Sequence, residues 1–247
     1  MIQAFGRVYR FILIVILLIA GVSMERAGLI EYLSDPYELQ YTVGLIGQHI
    51  WMVAISMAMA TILGIGVGII FTRPGFKRYA GFIMYVVGLG QTVPSLAVIA
   101  LAMGVLGIGF KAAVFALFVY SVLPIARNTL AGITAVSPWI IDAARGMGMS
   151  NARILFQVEI PNAMSVILTG FRVSLVINIG TAALAFLIGA GGLGEHIFVG
   201  IDLIRSDKLL AGAVPTMLLA LFADYLCELL GFVIIPKGLR LQREISS

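Results

Sequence analysis

Apolar residues in this chain come in long unbroken runs, and polar residues cluster between those runs instead of alternating with them. Charge-free stretches run from Ile50 to Thr72, from Tyr79 to Phe110 and from Val173 to Gly194. Shorter ones run from Phe11 to Met24, from Ala112 to Ala126 and from Leu209 to Ala223. A hydrocarbon core about 30 Å thick takes about 20 residues of helix, so runs of this length predict membrane spans. They are rich in Gly, Ala and Leu and lack the strict alternation of a barrel strand, which predicts helices. The pattern therefore predicts an all-α, polytopic membrane protein with six transmembrane helices, at about 9–29, 45–71, 80–105, 111–130, 164–189 and 209–235.

Composition agrees. Hydrophobic residues make up 61% of the chain and charged residues 11%, against roughly 25% charged in a soluble domain. The charges also give an orientation, because Lys and Arg gather on the cytoplasmic side of a membrane. With both termini cytoplasmic, the inner side holds Arg7, Arg10, Arg73, Lys77, Arg78, Arg127, Arg145, Arg153, Lys237, Arg240 and Arg243. The outer side holds only Arg26, Lys111, Arg205 and Lys208, and Arg172 stays inside the fifth span. The net charge of +4 is thus topology information and not a nucleic-acid signal. Arg7 and Arg10 before the first apolar run resemble a signal peptide, but "VSMERAG" lacks a small-x-small cleavage site, so the run reads as a retained span. A single cysteine, Cys227, excludes an intrachain disulfide and reads as a small buried hydrophobe.

The connections are unequal. "TRPGFKR" reads as a tight basic cytoplasmic turn, and Glu25 to Gly44, with Glu31, Asp35 and Glu38, as an acidic external loop. Ala190 to Lys208 reads as a second external loop, and the longest cytoplasmic connection runs over 131–161. That connection carries its own helix signals. Ser137 then Pro138 is a start, with proline at the first helical position; Gly146 and Gly148 can end the helix. Ser150 or Asn151 starts a second one that Pro161 should stop. A simple connection between antiparallel spans needs only a few residues. Two readings stand: an interfacial helix lying on lipid, or a docking element for a soluble partner.

Within this segment Asp142, Ala143 and Ala144, three residues, Gly148, nine residues, then Val158, Glu159, Ile160 and Pro161 resemble the cytoplasmic loop of ABC importer permeases. That pattern is Glu-Ala-Ala, three residues, Gly, nine residues, Ile-x-Leu-Pro; Asp142, Val158 and Ile160 are the departures. The resemblance implies the transmembrane domain of a type I ABC importer. In it Asp142, Ala143, Ala144, Arg145, Gly146, Gly148 and Pro161 would belong to a coupling element that fits a cleft on an ATP-hydrolysing partner. It further implies two such ATPase subunits, a second permease, identical or homologous, and an extracytoplasmic substrate-binding protein in a bacterial inner membrane. No cofactor belongs to this chain on that reading: ATP and Mg would sit on the partner ATPase. Indeed no lysine here follows a glycine as a P-loop requires. Residues 1–43 would be an N-terminal helix and external loop, 44–236 the transmembrane domain and 237–247 a cytoplasmic tail.

"GLGQTVPSLAVIAL", "LPIARNTLAGI", "IGAGGLGEHIFVGI" and "AGAVPTMLLALFADYL" further resemble the permeases for quaternary-ammonium osmoprotectants such as glycine betaine, choline and carnitine. Amino-acid importers of the methionine type share much of the pattern. "GAGGLG", Gly189 to Gly194, is literally G-x-G-x-x-G, but a dinucleotide site needs a strand before it. After a membrane helix it reads as a tight external re-entry. Gln91, Thr92, Pro94 and Ser95 interrupt the third span, as a kink, as pathway lining, or as both; Pro124 with Asn128 repeats the theme in the fourth.

Charges inside spans mark function by default. Arg172 and Glu228 stand at matching depths, predicting a pair between spans five and six, against the alternative of separate snorkelling. Asp224 shares the face of Glu228. A cation-π cage for a quaternary ammonium needs clustered aromatics, and the tyrosines, Trp51 and Trp139 are scattered. An ion-coupled transporter would show internal repeats and a midplane ion site; neither is evident. His49 and His196, both assigned to the outer side, make neither a metal-ligand cluster nor a Ser/His/Asp grouping, so no catalytic or metal site is expected.

Overall fold

The computed structural model describes residues 21–22, 24–90 and 92–235. The predicted first span at 9–29 lies mostly outside the described residues, as do Gln91 and the tail at 237–247. The chain then runs through α1 (Leu29–Ser34), α2 (Pro36–Ile70), α3 (Ala80–Gly90), α4 (Ser95–Leu106), α5 (Phe110–Thr134) and α6 (Pro138–Gly146). It continues through α7 (Asn151–Ile154), α8 (Ile160–Ala182), α9 (Gly194–Asp202) and α10 (Ser206–Ile234). A π-helical turn, Leu155–Glu159, joins α7 to α8, and a 3-10 turn, Ala183–Ile188, ends α8. No strand occurs among the described residues. Among the described residues four stretches are long and apolar enough to cross a membrane: Pro36–Ile70, Phe110–Thr134, Asn151–Ile188 and Ser206–Ile234.

Four features differ from the sequence reading. The predicted span at 80–105 is two shorter helices, α3 and α4, because Pro94 restarts the helix as the cap of α4. The predicted acidic loop up to Gly44 is mostly helix. Asp35 caps α2 by accepting from the Tyr37 and Glu38 amides at 2.8 and 3.4 Å, with Pro36 in the first turn. The second external loop likewise holds α9. Pro161 does not stop a helix either: it falls in the first turn of α8, where a missing N–H costs no bond, while the π turn opens the preceding coil.

The core forms where α2, α5 and α8 pack together. Helix α5 is central: half of its most apolar window is buried, against 6% for α10. Small residues let the backbones approach, the device expected where lipid is as apolar as the protein. A Cβ at Gly68 of α2 would lie 2.5 Å from Thr129 Cβ of α5, and one at Gly170 of α8 would lie 2.5 Å from Asn128 Cβ. Inside this apolar packing sits one polar junction. Asn178 Nδ2 donates to Ser121 Oγ (2.6 Å) and Ser56 Oγ (3.1 Å), and Ser174 Oγ donates to the Ser121 carbonyl (2.8 Å), all four residues being buried. Satisfied in this way, the amide specifies register among three helices at no desolvation loss.

Candidate functional site

Two ends of the bundle present chemistry. At the first, Pro138 opens α6 as predicted, although the Ser137 side chain makes no capping bond. Ala144 turns inward and is buried, while Asp142, Ala143, Arg145 and Gly146 face outward. Trp139 (84% exposed) and Met147 (75%) are large apolar side chains left uncovered at either end of the helix. Helix α6 ends at Gly146, and the residue that supplies the stop is Gly148, two positions on. It takes φ +77°, and its N–H donates to the Arg145 carbonyl (2.9 Å) while the Met149 N–H donates to that of Ala144 (3.2 Å). That is the double bond of a Schellman cap, which needs the left-handed conformation glycine adopts freely. Ser150 then caps α7, its Oγ accepting from the Arg153 amide at 3.4 Å. Asp142 and Arg145 face each other across 3.5 Å, both exposed, an ion pair of little energetic weight.

Beneath α6 lies a second, deeper pair. Arg73, just past the end of α2, donates from Nη2 to Glu159 Oε2 at 2.5 Å, and Glu159 is buried at the end of the π turn. A cavity of about 250 Å³ separates the pair from α6; Arg73, Glu159, Ile141, Asp142 and Arg145 are among the residues lining it.

Among the spans, Arg172 of α8 binds Asp224 of α10 through one guanidinium edge, Nε donating to Oδ1 and Nη2 to Oδ2 at 2.5 Å, and only approaches Glu228 Oε2 at 3.6 Å. For Arg172 the predicted partner, Glu228, is the more distant of two acids. The main partner is Asp224, because two carboxylates one helical turn apart compete and Asp224 matches the planar fork. Thr92 and Pro94 are exposed at the break between α3 and α4, and Ser95 is half-buried. Asn128 spends its amide on the Pro124 carbonyl at 2.8 Å, within its own helix.

At the opposite end the glycine run folds as a tight turn, with Gly189, Gly191 and Gly192 at φ 74°, 76° and 83°. A helix precedes it, so the dinucleotide reading has no structural basis. Gly192 N–H donates to Gln48 Oε1 (3.1 Å). His49 lies buried within α2 and His196 is buried in α9, neither in a loop. His49 Nε2–H donates to the Ile179 carbonyl at 2.9 Å. Thr42 gives its proton to the Glu38 carbonyl, so His196 Nε2–H must donate to Thr42 Oγ1 (2.9 Å), leaving Nδ1 as the unprotonated, unpartnered nitrogen. Burial, with Lys208 adding repulsion, lowers the His196 pKa from its ordinary value. Tyr32 and Tyr41, far apart in the scattered aromatic pattern, both set ring edges against His196, at 5.8 and 5.6 Å between centroids. Burial and a 2.5 Å hydrogen bond to Glu38 Oε2 raise the Tyr32 phenol well above its usual range.

Comparison with known proteins decides the family. The family described as "binding-protein-dependent transport system inner membrane component" matches residues 64–232. The chain belongs to that family. Among this permease family's curated members, the osmoprotectant import permease protein OsmY of Salmonella typhimurium is 45% identical over 219 residues, 88% of this chain and 91% of the relative. The carnitine transport permease protein OpuCB of Listeria monocytogenes is 42% identical, covering 80% of this chain and 89% of the relative. The glycine betaine/carnitine/choline transport system permease protein OpuCB of Bacillus subtilis is 39% identical over 81% and 91%. In fold, the chain is similar to an inward-facing structure of the MetNI methionine ABC transporter, with a TM-score of 0.72 and 21% identity over 82% of this chain and 100% of that one. This is an all-α, multi-pass membrane permease of the type I importer fold. Two features went unread in the sequence, the Asn178 junction and the Arg73–Glu159 pair. For Asn178 the signal was an amide inside an apolar run; for Arg73 and Glu159, separated by 86 positions, local pattern held none.

Proposed function

We propose that this chain is the permease subunit of an ATP-driven importer for a small osmoprotectant of the glycine betaine, choline or carnitine class. The observation that carries the substrate class is the 39–45% identity, nearly end to end, to permeases named for those solutes. The 21% likeness to the methionine transporter speaks for the fold and not for the cargo. The subunit itself is non-catalytic. Two ATPase subunits, a second permease and an extracytoplasmic binding protein complete the assembly, with both termini of this chain cytoplasmic.

The exposed face of α6 supports the assignment of Asp142, Ala143, Arg145, Gly146 and Gly148 as the surface gripped by the ATPase. Asp142 and Arg145 offer polar anchors, and Trp139 and Met147 offer apolar area that water covers poorly. Ala144 serves from within, as the small contact that lets α6 lie close to the bundle. Closing of the ATPase pair displaces α6, and the spans switch from inward-open to outward-open by alternating access. The break at Thr92, Pro94 and Ser95 lines the path, and Asn128 with Pro124 shapes the helix beside it. The pair of Arg172 with Asp224 and Glu228 ties α10 to α8 as they move.

The test is reconstitution of the permease with its ATPase and binding protein in liposomes, followed by uptake of labelled choline, carnitine, glycine betaine and methionine. ATP-dependent uptake of one of the first three is expected. Uptake of methionine alone, or uptake driven by an ion gradient without ATP, refutes the proposal.

A further inference from the structure

Glu159 is a buried carboxylate at a place where the helix is least regular. It closes the π turn Leu155–Glu159, and π turns are rare and concentrate where a helix must yield or re-aim. Among the described residues its ion-pair partner is Arg73. That guanidinium is itself fixed to the end of α2: Nε and Nη2 donate to Thr72 Oγ1 at 3.0 and 2.7 Å, and Thr72 Oγ1 donates to the Ile69 carbonyl at 2.6 Å. A chain of polar bonds thus runs from the last turn of α2, through Arg73, to the residue that caps the start of α8.

The routes by which a push on α6 could reach the spans are unequal. Helix α8 follows α6 along the backbone, through α7 and the π turn. Helix α2 has no such backbone route, since α6 faces Thr72 and Arg73 across the 250 Å³ cavity. We infer that Arg73 and Glu159 form a strut that makes α2 move together with α8 when α6 is displaced. They are assigned as positioning residues, which act by holding two spans to one motion. A charge-assisted bond half-buried between two helix ends suits this role, because it resists sliding as well as separation. Stability alone does not call for it, since an apolar pair of similar volume would stabilise the fold as well or better.

The inference rests on the importer reading, and the same reconstituted complex separates the two. Uptake and ATP hydrolysis are measured side by side for the unaltered permease, for Arg73→Gln, for Glu159→Gln, and for the exchange Arg73→Glu with Glu159→Arg. Each single change is expected to lower solute moved per ATP hydrolysed by about tenfold while hydrolysis continues. The exchange should recover most of the loss. A pair that merely stabilises would lower yield and melting temperature and leave that ratio unchanged; an unchanged ratio overturns the strut. A second arm uses Arg73→Cys with Glu159→Cys in a Cys227→Ser background, bridged by a short bismaleimide. Bridging should restore the ratio lost in the unbridged protein, and a bridge that blocks uptake would mean that the two ends separate during the cycle, which also overturns it. Failure of the unaltered complex to take up solute with ATP would sink the importer reading first, and the strut with it.

Discussion

The two ends of this bundle are built differently. At the glycine-turn end, backbones touch: a Cβ at Gly194 would stand 1.8 Å from the Ala183 carbonyl oxygen, and one at Gly200 2.4 Å from the Leu209 amide nitrogen. Hydrogen bonds from Gly192 to Gln48, from His196 to Thr42 and from Tyr41 to Glu195 lace α2 to the turn and to α9. At the α6 end, one small buried residue, one ion pair and a cavity lie between α6 and the spans. The lesson is mechanical. A bundle that must rock needs one end that keeps its packing and another where an element can shift without tearing a close-packed core, because interiors at crystal density do not deform smoothly.

The sharpest way to break this contrast is the same substitution at both ends. Gly194→Ala forces a methyl group into a backbone carbonyl that cannot step aside, so it should cost more than about 3 kcal/mol and abolish the folded, monodisperse permease in detergent. Gly148→Ala meets no atom within 4 Å and pays only for its left-handed conformation, about 1–2 kcal/mol; thermal melting in nanodiscs distinguishes the two. Between them stands the centre. Asn178→Ala leaves Ser121 and Ser56 without their partner in an apolar surround and should cost about 1–3 kcal/mol, read from the same melts.

A smaller effect is expected from pH. The lowered His196 pKa means that the unfolded chain binds a proton more readily than the folded one. The stability it contributes is complete above about pH 6.5 and is lost as pH falls from there through the depressed folded value. Melting temperature should therefore drop between pH 7.5 and 5.5, and His196→Gln should flatten that dependence; an equal slope in both proteins would count against the neutral, buried assignment. The smallest change in stability belongs to Trp139→Ala. With the side chain 84% exposed, melting should move by less than about 0.5 kcal/mol, while stimulation of the partner ATPase falls.

Much of this was readable from the residues. The spans around 45–71, 111–130, 164–189 and 209–235 follow from the length of apolar runs. Helix α6 follows from Ser137–Pro138 and Gly148. Asp142, Ala143, Ala144 and Gly148 carry the resemblance to the permease pattern by their spacing alone. A local signal fails where it has two outcomes. Pro94 restarts a helix and Pro161 tolerates one, and only the turn geometry around each decides between these. Asp35–Pro36 was a helix start passed over because the acidic residues around it suggested a loop. Arg172 was given the acid at matching depth, Glu228, although its planar fork fits Asp224 one turn away.

What the sequence by itself determined is whatever depends on a single stretch of chain. Burial in lipid requires a run of apolar residues, a helix start requires a cap, and a left-handed stop requires glycine; each can be read within a few positions. The tertiary structure alone decided which distant groups meet: Asn178 with Ser56 and Ser121, Arg73 with Glu159, His196 with Thr42. Those pairings depend on helix rotation and axial register, which are fixed by the sum of many small packing contacts across the bundle, and no one segment carries that sum.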